Sequence, residues 1–331
     1  GSAAKVQNSD VFKRLRGKKG TEVLVKMKRG RNPELIEFKI IRDKIPIYSV
    51  DASYMADSKT GYIKINSFGS TTYDEFTKAL ETLKKEGMKD LILSLQGNGG
   101  GFLGTAIQIA DEFLPAKKMI VYTQGNNQPR TDATATVTGN FEKGRLVVLV
   151  DEFSASASEI VSGALQDWDR AVIVGVRTFG KGLVQREFPL VDGSLMRLTV
   201  ARYYTPTGRS IQRPYKDGTE SYYKELSNRF RNGELMHADS IHFPDSLIYK
   251  TLINGRTVYG GGGIMPDVFV PVDTTEYSDF HRSMVAKGVV SRTAVEYLNS
   301  HRQELKEKYA AFQKFKKQFE TGDDYLKLLL A

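Results

Sequence analysis

The spacing of hydrophobic positions changes several times along the chain, and each change marks an element. Residues 21–28 and 35–41 alternate apolar with polar side chains, the period of half-buried strands, and Arg-Gly-Arg-Asn-Pro at 29–33 supplies a turn between them. Residues 10–16 read as a short helix ended by Gly17. Alternation returns at 61–68 (GYIKINSF). Thr72-x-x-Glu75 then has the form of a capping box, Phe76, Leu80 and Leu83 follow at helical spacing, and Gly87 closes the helix. Apolar runs at 91–95 (LILSL), 146–150 (LVVLV) and 171–175 (AVIVG) have the length and composition of buried strands. Helices are expected over 103–114 and 156–168, the second with Ile160, Val161, Ala164, Leu165 and Trp168 on one face, and a further strand over 119–123.

This strand–helix–strand alternation predicts an α/β fold with a parallel sheet. Residues 183–190 and 194–204 flank Asp192-Gly193, a hairpin signal. The chain then divides as follows: a small β-rich piece over 1–46, a linker over 47–60, a core over 61–275 with a polar, irregular insertion at 213–259, and a helical region over 276–331. In the last, Leu305, Tyr309, Phe312 and Phe319 mark an amphipathic stripe. Two strands and one helix are too few for an independent core, so 1–46 reads as half of a domain.

Composition narrows the chemistry. The 331 residues are 40% hydrophobic and 26% charged, which excludes a disordered or collagen-like chain. No apolar run approaches the roughly 18–20 residues of a membrane span. Without a single Cys there is no disulfide, thiolate nucleophile or Cys-based zinc site. The net charge of +9 is concentrated in 1–46, where 13 Lys/Arg stand against 5 Asp/Glu. That piece has only Phe12 and Phe38 to stack on bases, so nucleic acid is not an expected partner. The opening Gly-Ser-Ala-Ala reads as a cloning remnant, and the termini carry no direct information on localisation.

Three loops follow core strands at their carboxyl ends: Gln96-Gly-Asn-Gly-Gly-Gly101, Glu152-Phe-Ser-Ala-Ser-Ala-Ser-Glu159 and Thr178-Phe-Gly-Lys-Gly182. In a parallel sheet they converge on one edge. Ser156-x-x-Glu159 is a capping box, and a serine in such a box ordinarily only caps its helix. It is also where a nucleophile would profit from the free N–H groups and partial positive charge of a helix N-terminus. Ser154 and Ser158 compete for the role on sequence alone.

His237, His242, His281 and His301 all lie outside the three loops, so a Ser-His pairing would need a distant His to fold back. Lys181, flanked by Gly180 and Gly182, is the alternative base, although a lone lysine in such a loop is ordinarily just solvated. An apolar surrounding favours the neutral amine that can take a serine proton. Gly100 and Gly101 permit close backbone approach and could donate to an oxyanion. His237 and His242 lack a third ligand at typical spacing, so no metal is expected.

Together and in order, SASASEI (154–160), LQD (165–167), TFGKGLVQ (178–185) and YYTPTGRSIQ (203–212) resemble the C-terminal processing peptidases, or tail-specific proteases. The likeness is dense over 61–212 and returns in GGGIMPD (261–267). It implies a crotonase/ClpP-like α/β core, with 1–46 the C-terminal part of a PDZ domain. It assigns Ser156 as nucleophile and Lys181, 25 positions on, as general base, oriented by Gln185. The N–H groups of Ala157 and Gly101 become the oxyanion hole with Gly100 beside them, and Asp167 becomes a supporting residue.

The family's Gly loop usually follows Asp-Leu-Arg, whereas this chain has Ser94-Leu95-Gln96. The resemblance further implies an exported serine endopeptidase of the periplasm or cell envelope. It would act on proteins with accessible C-terminal tails, use no cofactor or metal, and leave room for an adaptor and for homo-oligomers. Two rivals stand beside this reading. A crotonase-like acyl-transfer enzyme would keep turning over after Ser156→Ala. A non-catalytic peptide-binding scaffold would bind regardless of Lys181→Met.

Overall fold

The computed structural model describes residues 7–28, 33–44, 48–136, 138–215, 218–273 and 278–330. The expected turn at 29–33 falls largely outside them, as does the opening tetrapeptide. The chain begins with α1 (Asn8–Leu15), β1 (Glu22–Lys28) and β2 (Leu35–Ile41), then β3 (Val50–Met55), β4 (Thr60–Ile65), α2 (Thr72–Lys85), β5 (Asp90–Ser94) and α3 (Leu103–Asp111). Next come β6 (Met119–Gly125), β7 (Gln128–Thr134), β8 (Leu146–Val150), α4 (Ala157–Asp167), β9 (Val172–Gly175), β10 (Leu183–Pro189) and β11 (Leu195–Tyr204). After α5 (Gly218–Arg231) follow β12 (Ile248–Lys250), β13 (Thr257–Tyr259) and β14 (Val268–Phe269). The chain ends with α6 (Asp279–Ala286), α7 (Val289–Ser300), α8 (Arg302–Lys308), α9 (Phe312–Gln318) and α10 (Asp323–Leu330).

The apolar runs form one sheet of order β14-β9-β8-β5-β4-β3, parallel throughout except for the antiparallel edge strand β3. Ile63, Leu91, Leu93, Val148 and Ile173 on its strands are at most 1% exposed. Burying a side chain of this size stabilises by about 1.5–3 kcal/mol relative to exposure. A second sheet, β10-β11-β6-β7, is antiparallel. Helix α4 packs on α3 and β6, and all eleven of its residues are buried, not just the expected apolar face. Gly163 makes this possible, because a Cβ there would lie 2.8 Å from the Thr205 side chain.

Three expectations are corrected. Residues 47–60 are not simply a linker, since β3 lies within them and pairs with β4. Its Asp, Ser and Tyr suit an edge strand with mostly solvated faces and do not show the alternation of a core strand. Second, Glu75 does not close a capping box on Thr72. Its carboxylate takes the N–H groups of Ser49 (2.7 Å) and Val50 (2.9 Å) and the Thr71 hydroxyl (2.7 Å), tying β3 to α2. Burial pushes that carboxyl up, but these bonds outweigh it and hold it below the ordinary glutamate value. Third, the insertion is not irregular: it contains the fourteen-residue α5 and the β12–β13 hairpin.

The N-terminal piece is held together by Arg42, whose guanidinium donates to the carbonyls of Leu15 (2.7 Å) and Glu22 (2.9 Å). Leu24, Leu35 and Ile41 of its hairpin stay more than half exposed. The expected stripe is divided between α8 and α9, whose C-cap residues are Tyr309 and Phe319; Tyr309 meets Phe315 and Phe319 edge-on, and the Phe312 side chain lies outside the described atoms.

At the far end of α4, Asp167 pairs with Arg209 at 2.7 Å, both fully buried, and accepts the Thr207 N–H (2.9 Å) and hydroxyl (2.8 Å). Removing one member of such a pair strands the other charge in the interior. Asp167→Ala is therefore expected to destabilise the fold by about 3–5 kcal/mol, read by denaturant unfolding. A loss below about 1 kcal/mol would contradict this account.

Candidate active site

The loops after β5, β8 and β9 meet at the carboxyl edge of the sheet, as their strands' parallel pairing requires. Ser156 sits immediately before α4 with φ 58° and ψ −110°. A β-carbon in this left-handed region costs of order 1–3 kcal/mol and persists only where the surroundings fix it. The fixing group is Glu159, one turn into the helix.

Glu159 is fully buried, and its carboxylate takes four bonds. Oε2 accepts the N–H of Ser156 (2.7 Å) and of Lys181 (2.9 Å). Oε1 accepts the N–H of Gly180 (2.7 Å) and the Thr178 hydroxyl (2.6 Å). Burial pushes the Glu159 carboxyl upward, and the bonds from Thr178, Lys181, Ser156 and Gly180 oppose that rise. One oxygen thus joins the serine turn to the lysine loop.

The geometry separates the three serines. Ser154 and Ser158 are fully buried, with hydroxyls committed to the backbone: Ser154 donates to the Leu95 carbonyl (2.8 Å) and Ser158 to that of Asn98 (2.9 Å). Only Ser156 of the three is partly exposed. Ser154 and Ser158 instead hold the Gly loop.

The same work is shared by Asn98, whose amide donates to the Ile65 carbonyl (2.9 Å), and by Asp151, which accepts the Gly97 N–H (2.8 Å). These residues secure a loop that lacks the family's Asp-Leu-Arg. The loop lies hard against the serine turn, for a Cβ on Gly100 would stand 2.8 Å from Ser156 Cβ and 3.0 Å from the Ala157 nitrogen.

Neither the Gly101 N–H nor the Ala157 N–H has an acceptor among the described residues. They are the donors an oxyanion would use. Gly100 is corrected: its N–H is spent on Asn98 Oδ1 (2.9 Å). Gln185 is not placed as the resemblance implies either. It follows a β-bulge on β10, is exposed, and makes no side-chain hydrogen bond to Lys181. Asp167 stands at the opposite end of α4 from Ser156 and supports the 203–212 segment. The Lys181 amine has no hydrogen bond or ion pair with a described residue, and Ser156 Oγ and Lys181 Nζ are not hydrogen-bonded to each other.

The lysine loop is boxed in by residues that sequence spacing did not reveal. Gln212 Oε1 accepts the Gly182 N–H (2.8 Å), Arg213 N–H reaches the Gly180 carbonyl (3.0 Å), and the Phe179 N–H reaches the Ser154 carbonyl (3.0 Å). From the insertion, Arg229 donates to the carbonyls of Thr178 (2.7 Å) and Phe179 (3.2 Å). Arg213 stacks between Phe179 (4.0 Å) and Tyr222 (3.9 Å). Only the capping-box spacing of Glu159 carried a local signal; the others are brought in by long-range folding. Among the described residues no group of three or more His, Cys, Asp or Glu is placed to hold a metal. His237 and His242 lie in the insertion, and His281 and His301 in the C-terminal helical region.

Residues 59–220 match the model of peptidase family S41. The chain carries an S41 peptidase domain. Residues 280–331 match a family of unknown function (DUF8443). The carboxyl-terminal-processing protease of Picosynechococcus sp. is 40% identical over 203 residues, 60% of this chain and 48% of that protein. The probable CtpA-like serine protease of Staphylococcus aureus is 37% identical over 205 residues, 61% of this chain and 40% of the relative. The chain thus spans about half the length, or less, of these curated relatives. The solved photosystem II D1 C-terminal processing protease overlays with a TM-score of 0.49 at 27% identity, over 79% of this chain and 58% of that one.

Two substitutions test the S41 site. Glu159→Gln turns an acceptor of four bonds into a group whose amide faces N–H donors. It is expected to leave a folded protein with activity lowered about 100-fold, the penalty of misplacing reacting groups by about an ångström. Circular dichroism and a cleavage assay read the two effects, and a folded, fully active variant would sink the assignment. Gly101→Ala would put a Cβ 2.1 Å from the Phe68 carbonyl oxygen at φ +152°. It is expected to displace the Gly101 N–H and to abolish turnover, with substrate binding measured separately.

Proposed function

We propose that the chain is a serine endopeptidase in which Ser156 and Lys181 form a dyad. The observation that carries this reading is the Glu159 oxygen shared by the Ser156 and Lys181 N–H groups, beside the two unclaimed N–H groups of Gly101 and Ala157. The S41 domain and the named relatives support it.

In the mechanism that follows, Ser156 Oγ attacks the scissile carbonyl carbon while its proton passes to the unprotonated Lys181 amine. The developing oxyanion takes the Gly101 and Ala157 N–H groups, which are set in place before the reaction. The C–N bond then breaks, and Lys181 returns the proton to the leaving amine. Lys181 next takes a proton from water, whose oxygen attacks the ester carbonyl; as the C–Oγ bond breaks, Lys181 returns that proton to Ser156 Oγ and the acid product leaves. Catalytic hydrogen bonds commonly tighten only in the substrate complex, which accommodates the unmade Ser156–Lys181 bond here.

Phe102 and Phe153 flank the site next to Gly101 and Ser154, and both are more than half exposed. They offer apolar surface to an unfolded polypeptide. We read the substrates as proteins with accessible C-terminal tails, and the sheet core as crotonase/ClpP-like. Residues 1–46 are read as the end of a PDZ domain, which the helix–hairpin order and the solvated Leu24 and Ile41 support. Export to the periplasm or cell envelope, a regulatory adaptor and homo-oligomers belong to the same reading. No described helix is long and apolar enough to cross a membrane.

The test is cleavage of an unfolded protein, with products read by mass spectrometry. Ser156→Ala and Lys181→Met are each expected to lower kcat by at least 1,000-fold without unfolding the protein. Cleavage that survives Ser156→Ala would overturn the dyad and favour a crotonase-like reaction.

A further inference from the structure

Lys181 is gripped on both sides of its backbone. Glu159 holds its N–H at 2.9 Å. On the other side, the Tyr203 hydroxyl donates to the Lys181 carbonyl, and the Tyr203 N–H donates to the next carbonyl, that of Gly182, at 3.0 Å. Tyr203 is 2% exposed and sits on β11 opposite Thr123 of β6, so the sheet fixes where its ring stands.

A phenol has one proton, and here it is committed to the Lys181 carbonyl. Burial, then the nearby Glu159 charge, push this phenol well above its usual value.

We propose that Tyr203 is a positioning residue for the Ser156–Lys181 pair, its hydroxyl locking the Lys181 peptide at the orientation from which the side-chain amine reaches Ser156. The assignment rests on the dyad reading. The long lysine side chain amplifies any tilt of its peptide, and a misplacement of about an ångström costs on the order of 100-fold in rate. Glu159 fixes only the N–H side of Lys181; without the phenol its carbonyl side loses its anchor.

The experiment uses the full chain and two readouts: steady-state cleavage of an unfolded protein, and labelling of Ser156 by a fluorophosphonate. Tyr203→Phe is expected to lower kcat by 10- to 100-fold with KM within twofold, and to slow labelling in parallel. The decisive comparison is made in a Lys181→Ala background. A residue acting through Lys181 has nothing left to position there, so Tyr203→Phe should not slow the residual labelling further. A residue that merely stabilises the fold would slow it by the same factor in both backgrounds. This comparison holds even where Tyr203→Phe lowers the melting temperature, because both Phe variants share that defect. Wild-type kcat in Tyr203→Phe, or an equal loss in the Lys181→Ala background, overturns the proposal while leaving the dyad standing. Full cleavage by Lys181→Ala alone overturns the dyad and the proposal together.

Discussion

A single buried carboxylate organises the carboxyl edge of the parallel sheet, where the Ser156 and Lys181 loops meet. Glu159 has no access to water, and an anion so placed is tolerable only if its oxygens are fully engaged. The donors come from two places. Ser156 supplies one N–H at the turn into α4; Thr178, Gly180 and Lys181 supply the rest from the loop after β9. Helix α4 adds the partial positive charge of its first turn. The cost of burying this carboxylate is offset only when both segments are in place. Ser156 and Lys181 are therefore brought into place together or not at all, and the strained φ of Ser156 is maintained by the same bonds.

Around this centre the insertion works as a brace. Arg213 and Arg229 are at most 2% exposed and share Glu225, which pairs with them at 2.5 and 2.6 Å. Burial first, and then the neighbouring Arg177 charge, bring the Arg229 guanidinium down to about 10, with Glu225 and Glu234 pulling the other way. Fixed in this way, Arg229 spends its donors on carbonyls of the lysine loop. The segment that looked like a polar excursion is thus part of the wall behind Lys181. The GGGIMPD stretch closes the other side: the Ile264 N–H reaches the Thr178 hydroxyl (2.7 Å), and Asp267 accepts from Ile173 (2.8 Å) and Gln166 (2.9 Å).

Much of this was legible along the chain because its signals are local. The LILSL, LVVLV and AVIVG runs could only be buried strands, and their parallel order placed the Gly, Ser and Lys loops on one edge. Other features left no local trace. Strand β3 has the polar composition of a connection and gains its place by pairing with β4 and by Glu75 reaching its backbone. Helix α5 was hidden in a polar segment whose burial depends on arginines satisfied elsewhere. Gln185 was assigned by resemblance and stands exposed on β10, with Lys181 held through its backbone instead.

The sequence by itself determined the α/β class, the three convergent loops and a short set of chemically competent residues. Periodicity, apolar run length and side-chain chemistry are properties of short segments, independent of what packs against them. Only the tertiary structure committed the Ser154 and Ser158 hydroxyls to backbone while leaving Ser156 partly exposed, spent the Gly100 N–H but not that of Gly101, and made Glu159 and Tyr203 grip Lys181 from opposite sides. Each of those outcomes depends on which donor meets which acceptor across a long stretch of chain, and such pairings exist only once burial has removed water as the alternative partner.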